Sequence, residues 1–218
     1  SRRQRQMCIR DRLVVRADSD IQTLDDLSGH TVSIGAEESG TERNATQILE
    51  FAGMPSSLVA TKNLDYIEAT KELKAGDIDA FFCTAGLTTT VIDELSKECD
   101  IRLIPLTDTV ISKMLESSSA YTSEVIPAGT YTGQTTDIST IGVKSVLITK
   151  SDVSDDTIEQ LTSLLFEKEN ELSYSNSLKL ELTYDFATDG IPIPFHNGAK
   201  RYYDCLLYTS PSPRDLST

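Results

Sequence analysis

Apolar positions along the chain fall into short blocks whose spacing switches between the strand and the helix period. Val32 and Ile34 close a short strand over residues 31–34. Ala45, Ile48, Leu49 and Ala52 then recur at i, i+3, i+4 and i+7, a helical stripe closed by Gly53. The same alternation continues. Residues 65–75 predict a helix capped by Asn63 or Asp65 and stopped by Gly76, 78–83 a buried strand, 88–99 a helix, 101–106 a strand and 107–117 a helix. A short apolar strand at 13–16 precedes them. Strands alternating with helices of about ten residues indicate an α/β fold with a largely parallel sheet.

The pattern changes after Ser117. Residues 118–136, rich in Ser, Thr, Gly and Tyr, predict a loop with irregular strands, and 138–150 a long apolar-leaning strand. Ser154 opens a helix with Asp155 and Asp156 in its first turn, where negative charge suits the dipole, and with Ile158, Leu161, Leu164 and Leu165 as its stripe. Further helices are expected at 176–184 and 197–203. Segments 13–18 and 136–146 suit crossings between two lobes. The predicted organisation is therefore one complete α/β lobe at 19–136, with crossing residues 13–18 before it, and part of another lobe at 137–204.

The two ends stand apart from this pattern. Residues 1–12 (SRRQRQMCIRDR) carry five arginines in an acidic chain, and the tail from Cys205 stacks Pro211 and Pro213 among serines without periodicity. Both resemble in-frame translations of sequencing adapters, so 1–12 and 205–218 are expected to be non-native and to stay outside the fold. The full chain carries a net charge of −14; without those ends 14 Lys and Arg face 32 Asp and Glu, a net charge of −18. Such a field repels nucleic acid and anionic membrane surfaces. Cys83 and Cys99 are then the remaining cysteines, too few for a disulfide framework, and each follows apolar residues as a buried small hydrophobe does. No stretch approaches the ~20 apolar residues of a membrane span.

The strand-turn-helix at V-S-I-G-A-E-E-S-G-T-E, residues 32–42, holds the leading candidate site. The first N–H groups of a helix lack internal partners and sit at the positive end of its dipole, so a carboxylate or phosphate is favoured there without Lys or Arg. Ser39 and Thr41 offer hydroxyl donors, although either residue also serves as a plain helix cap. Gly35 and Gly40 have P-loop spacing, but Thr41 and Glu42 stand where a P-loop needs Lys and then Ser or Thr, which excludes nucleotide binding of that kind. His30, His196 and the two cysteines match no zinc-ligand spacing. His196 reads as a helix-start residue, Phe81 and Phe82 as sheet core, and Tyr66, Tyr121 and Tyr131 as packing residues. The turns after Ile34 and after Cys83 both lie at carboxyl ends of strands, where open α/β sheets bind ligands.

The run I-x-T-L-D-D-L-S-G-H-T-V-S-I-G-A-E-E-S-G-T-E at 21–42 resembles the TAXI family of TRAP-transporter solute-binding proteins. So do G-D-I-D-A-F-F-C-T-A-G-L-T-T-T-V-I at 76–92, the strand and helix at 146–166, and I-P-I-P-F-H-N-G-A-K-R-Y-Y at 191–203. The resemblance covers residues 13–204. It implies a two-lobe, periplasmic-binding-protein-like α/β fold, one lobe complete and the other partial. It implies an extracytoplasmic or periplasmic monomeric receptor, not an enzyme, that captures a small organic anion such as glutamate or a dicarboxylate, without cofactor or metal, and delivers it to TRAP membrane permease subunits. Position by position, Ser39, Gly40 and Thr41 match the family's S-G-T ligand loop, and Ala85, Gly86, Thr88 and Thr89 match a second turn lining the same cleft. Glu37 and Glu38 stand where small or neutral residues are usual, Thr88 where Pro is common, and Asn197 where the family has Pro. The front of the family chain lies before residue 13, so residues 13–204 alone are expected to bind solute poorly. Two other functions use the same scaffold: an enzyme, which needs a nucleophile, acid-base pair or metal set beside these turns, and a ligand-sensing domain of a signalling protein.

Overall fold

The computed structural model describes residues 8–144, 146–168, 183–191 and 193–209. The chain divides into two compact units, Cys8–Lys144 and a second made of Ser145–Thr218 with Ser1–Met7.

The first unit is an open seven-stranded sheet between helices. Its elements are β1 (Cys8–Arg16), β2 (Thr31–Ser33), α1 (Gly40–Phe51), β3 (Ala60–Lys62), α2 (Tyr66–Ala75), β4 (Ala80–Ala85), α3 (Thr90–Glu98), β5 (Ile101–Ile104), α4 (Asp108–Ser117), β6 (Tyr121–Ile126) and β7 (Ile138–Lys144). The strand order is β3-β2-β4-β1-β7-β6, with β5 also beside β1. β2 runs parallel to β3 and β4, whereas β1 is antiparallel to β4, β5 and β7. The sheet is thus mixed where strand-helix alternation predicts largely parallel. That alternation constrains only strands joined by crossover helices, and β2 to β5 do share one direction. Only a 3-10 turn at Asp25–Leu27, and no α-helix, lies between β1 and β2, and β1 threads between β4 and β5 the other way.

Successive residues of a strand face opposite sides, and β1 and β4 use this to build two cores. Leu13, Val15 and Phe82 join Ile48 and Leu49 of α1 and Met114 of α4 on one face. Val14, Phe81 and Cys83 join Leu73 of α2 and Ile92 and Leu95 of α3 on the other. Full burial of a Phe or Leu side chain stabilises by about 1.5–3 kcal/mol, so the central strand pair anchors both helical layers.

Three boundaries differ from the sequence expectation. β1 begins at Cys8, so the adapter-like residues 8–12 enter the sheet, and Asp11 and Arg12 are each only 2% exposed. Five more residues add to the ladder: Arg10 to Arg12 pair with Cys83 to Ala85, and Cys8 to Arg10 with Gly142 to Lys144. The strand expected over 138–150 ends at Lys144, because its β6 partner ends there, Tyr121 facing Val143. Leu147 and Ile148 beyond it are 70% and 72% exposed. β7 lies within the first compact unit, which closes at Lys144 and not at residue 136, because β7 is paired along its length with β6.

In the second unit, α5 (Asp155–Glu167), α6 (Tyr184–Thr188) and α7 (Asn197–Thr209) are the described elements. Ser154 caps α5 by accepting the Thr157 N–H. His196 does the same for α7, its Nδ1 accepting the Gly198 N–H at 3.1 Å. Gly198 is needed for packing: a Cβ there would lie 2.1 Å from the carbonyl oxygen of Asp155, so only glycine lets α7 approach α5 so closely. Phe166, Tyr184, Phe195, Tyr202 and Tyr203 form a cluster of tilted and edge-on rings. α7 runs on to Thr209, five residues into the adapter-like tail. Most of the helix expected at 176–184 lies outside the described residues.

Candidate functional site

The start of α1 is shaped by one glycine and two acceptors. Gly35 has φ +99°, and a Cβ on it would stand 2.8 Å from the Cβ of Thr41, so the chain turns from β2 into the helix only with glycine there. Ser39 is the N-cap, its Oγ accepting the Glu42 N–H at 3.1 Å. Glu42 reaches back one residue further than in an ordinary capping box: its carboxylate accepts the Glu38 N–H at 2.6 Å and the Asn63 side-chain amide at 2.7 Å. Glu38 is held at φ 60°, and both Glu37 and Glu38 are exposed. Part of the positive end of α1 is therefore answered by the chain's own Glu42. The N–H groups of Gly40 and Thr41 face out of the first turn, where no helix carbonyl can accept them. A Cβ on Gly40 would meet nothing within 4 Å, so the space in front of the turn is open.

Thr41 is buried, and its Oγ1 lies 2.6 Å from the hydroxyl of Tyr66. Tyr66 donates to the Thr84 carbonyl at 3.0 Å and accepts the Thr84 N–H at 3.3 Å. With the tyrosine proton committed to Thr84, Thr41 is the donor to Tyr66, which leaves the Ser39 hydroxyl and the two free amides as the donors this turn presents.

Tyr66 thereby ties the α1 turn to the end of β4, where the second predicted turn begins. Ala85 ends β4, Gly86 and Leu87 follow, Thr88 is exposed, and Thr89 is the N-cap of α3 without a side-chain capping bond. The Thr89 N–H instead donates to the hydroxyl of Tyr131, which donates in turn to the Leu87 carbonyl, both at 3.3 Å. All seven predicted residues, Ser39, Gly40, Thr41, Ala85, Gly86, Thr88 and Thr89, lie at or beyond the carboxyl ends of β2 and β4, which are adjacent parallel strands.

β1 places two charged groups under these turns, on opposite faces of the sheet. Asp11 accepts from the Thr84 hydroxyl and, at 2.9 Å, from the Asn44 amide of α1. Asn44 also accepts from Tyr121 at 3.0 Å. Burial pushes the Asp11 carboxyl up to about 6 despite those hydrogen bonds and the nearby Arg12 charge. On the other face, Arg12 donates from both terminal nitrogens to carbonyls of the second turn, and its guanidinium carbon sits 5.8 Å from the centroid of the Tyr131 ring.

Tyr66, Tyr131 and Asn44 carry structure between the turns that their sequence context does not reveal. Tyr66 reads as a first-turn helix residue after the Asp65 cap. Asn44 left one signal, a polar residue on the same helical face as Ala45 and Ile48. Asp11 and Arg12 lie in the segment that its likeness to translated adapter sets aside in the sequence reading.

Cys83 is buried, with its thiol pushed up to about 12 by burial, which withholds the thiolate a nucleophile needs. Among the described residues no cluster of three or more His, Cys, Asp or Glu is arranged to hold a metal ion, and no helix is long and apolar enough to cross a membrane.

A family model described as NMT1-like matches residues 11–204. The chain belongs to the NMT1-like family. Among solved structures, this NMT1-like chain is similar to one described for glutathione import in Gram-positive bacteria via GshT and the cystine ABC importer TcyBC of Streptococcus mutans. Identity there is 14% over 84% of this chain and 65% of that one, with a TM-score of 0.49. It is also similar to an ancestral arginine-binding protein bound to arginine, at 19% identity over 77% and 57% of the two chains and a TM-score of 0.42. The periplasmic aliphatic sulphonate binding protein SsuA from Escherichia coli matches at 14% identity, over 91% and 55%, with a TM-score of 0.44. The chain spans less than two thirds of the length of each of these proteins.

Proposed function

We propose that this NMT1-like chain is the greater part of an extracytoplasmic solute-binding receptor, working by capture and release with no bond made or broken. The observation that carries this reading is the pairing of two glycine-containing turns, at Ser39–Thr41 and Ala85–Thr89, through the hydroxyl of Tyr66 on one end of the sheet. The α1 turn offers outward N–H groups, the Ser39 hydroxyl and the positive end of a helix dipole, which together suit a carboxylate. A fixed set of dipoles binds an anion without a neighbouring cation, as a chain of this acidity requires, since its long-range field opposes anions. The solute is a small organic anion of the glutamate or dicarboxylate kind, and closure over it presents the receptor to its permease. The S-G-T loop and the motifs at 76–92 and 191–203 favour a TAXI receptor, the permease then being of the TRAP type and the receptor a periplasmic monomer. A thermal-shift panel on the complete gene product tests the reading: carboxylates raise the unfolding midpoint by mass action. A response confined to sugars or to simple cations contradicts it.

A further inference from the structure

We propose that the outer edge of β5 is a docking groove for an uncharged, extended peptide segment, which adds to the sheet there as a further strand.

β5 is paired on one side only, to β1. The Ala17 N–H donates to the Asp100 carbonyl at 2.9 Å and Arg16 stands opposite Ile101, so along this antiparallel ladder the residues bonded to β1 are Arg102 and Ile104. The N–H and C=O groups of Ile101 and Leu103 therefore point away from β1. Among the described residues nothing bonds to them. Yet Ile101 is 9% exposed and Leu103 5%, a degree of burial at which main-chain groups ordinarily have partners.

The two residues line a cavity of about 390 Å³, whose other wall is the loop 131–138. That wall is preformed. The side-chain amide of Gln134 donates to the carbonyls of Ile126, Pro127 and Thr136 at 3.2, 3.0 and 3.0 Å, and Asp137 accepts the Ala128 N–H at 2.8 Å, so a ligand does not have to order the loop. The volume lies in the range of small-ligand sites and suits a short segment.

Peptide is favoured by the pattern of groups along the edge. A donor and an acceptor on each of two residues about 6.6 Å apart form the repeat that an added strand reads. The charged side chains of the lining are opposite in sign and already engaged: Arg102 donates to the carbonyls of Ala17, Ser19 and Ile21, and Asp137 holds Ala128. The groove thus offers no net charge, which separates it from the donor-rich turn of α1. The exposed hydroxyls of Thr132, Thr135 and Thr136 on its rim suit uncharged polar side chains.

Amide exchange and chemical shifts of the present chain, titrated with the blocked tripeptide acetyl-valyl-threonyl-valinamide, test the groove. Saturable shifts should be confined to residues 101–105 and 131–138. Exchange should slow at the Ile101 and Leu103 amides and stay unchanged at Arg102 and Ile104, which are already bonded to β1. The analogue N-methylated at the threonyl nitrogen should bind about tenfold more weakly, since one ladder donor is lost. Thr135→Trp, which fills the groove from an exposed rim position, should abolish the response; if that variant does not fold, Thr132→Trp serves the same purpose. Absence of saturable shifts, equal binding of the methylated analogue, or slowed exchange without the alternation overturns strand addition. Concentration-dependent dimerisation that is lost in the tryptophan variant would assign the edge to a second copy of this chain and overturn the peptide partner.

Discussion

Thr41 Oγ1 stands 2.6 Å from the hydroxyl of Tyr66, which is bonded to both the N–H and the carbonyl of Thr84. One phenolic oxygen therefore joins the first turn of α1 to the end of β4. Tyr66→Phe keeps the ring and removes this junction, which should cost about 1–2 kcal/mol in urea unfolding. Thr41→Val should cost a similar amount, and the double variant less than the two together, because both remove the same bond. Full additivity would show that the two hydroxyls are not coupled.

Gly35 should accept no side chain. Its φ of +99° disfavours any L-residue, and a Cβ would overlap Thr41 at 2.8 Å. Gly35→Ala should destabilise by about 2–3 kcal/mol, read as a fall in urea midpoint at unchanged slope. Gly40→Ala, where a Cβ meets nothing, should stay within about 0.5 kcal/mol.

The buried Asp11 gives stability a pH dependence of unusual sign. Its carboxyl is raised from 3.8 to about 6 by burial, so between those values the folded chain holds a proton that the unfolded chain has lost. Stability from this group is fully present below about pH 4 and falls as pH rises to 6, by a total on the order of 3 kcal/mol. Asp11→Asn, isosteric and uncharged, should flatten that segment of the profile in unfolding measurements between pH 4 and 7. An unchanged slope would place the titration elsewhere.

Thiol labelling should follow burial. Cys83 is buried and its thiol is raised to about 12, Cys99 is half-buried and Cys205 exposed. Of these three, under native conditions at pH 8, a maleimide should modify Cys205 first, then Cys99, and leave Cys83 untouched until urea unfolds the chain, as read by peptide mass spectrometry.

Much of this framework is legible from apolar spacing. The 3.6 period from Ala45 to Ala52, the Ser39 and Asp65 caps and the Gly76 stop place α1 and α2 within a residue or two. The Ser154 cap does the same for α5. What spacing cannot carry is strand direction where no crossover helix intervenes: β1 reads as a strand, but its antiparallel insertion between β4 and β5 depends on partners far along the chain. The end of β7 is hidden for a similar reason, since 146–150 is as apolar as 138–144 and differs only in having no strand beside it among the described residues. At the candidate site, glycine and hydroxyl chemistry marks the two turns. The residues that bind them together, Tyr66, Tyr131 and Asn44, look in sequence like ordinary packing side chains, because their role depends on which backbone atoms their polar ends reach.

Calorimetric titration of the complete gene product with L-glutamate and with succinate tests receptor function most directly. The account predicts saturable one-to-one binding of at least one of them at micromolar or tighter affinity, weakened by about 1–3 kcal/mol in Ser39→Ala, which removes the hydroxyl at the α1 turn. Absence of binding by any small carboxylate, or affinity indifferent to the α1 turn, would contradict it.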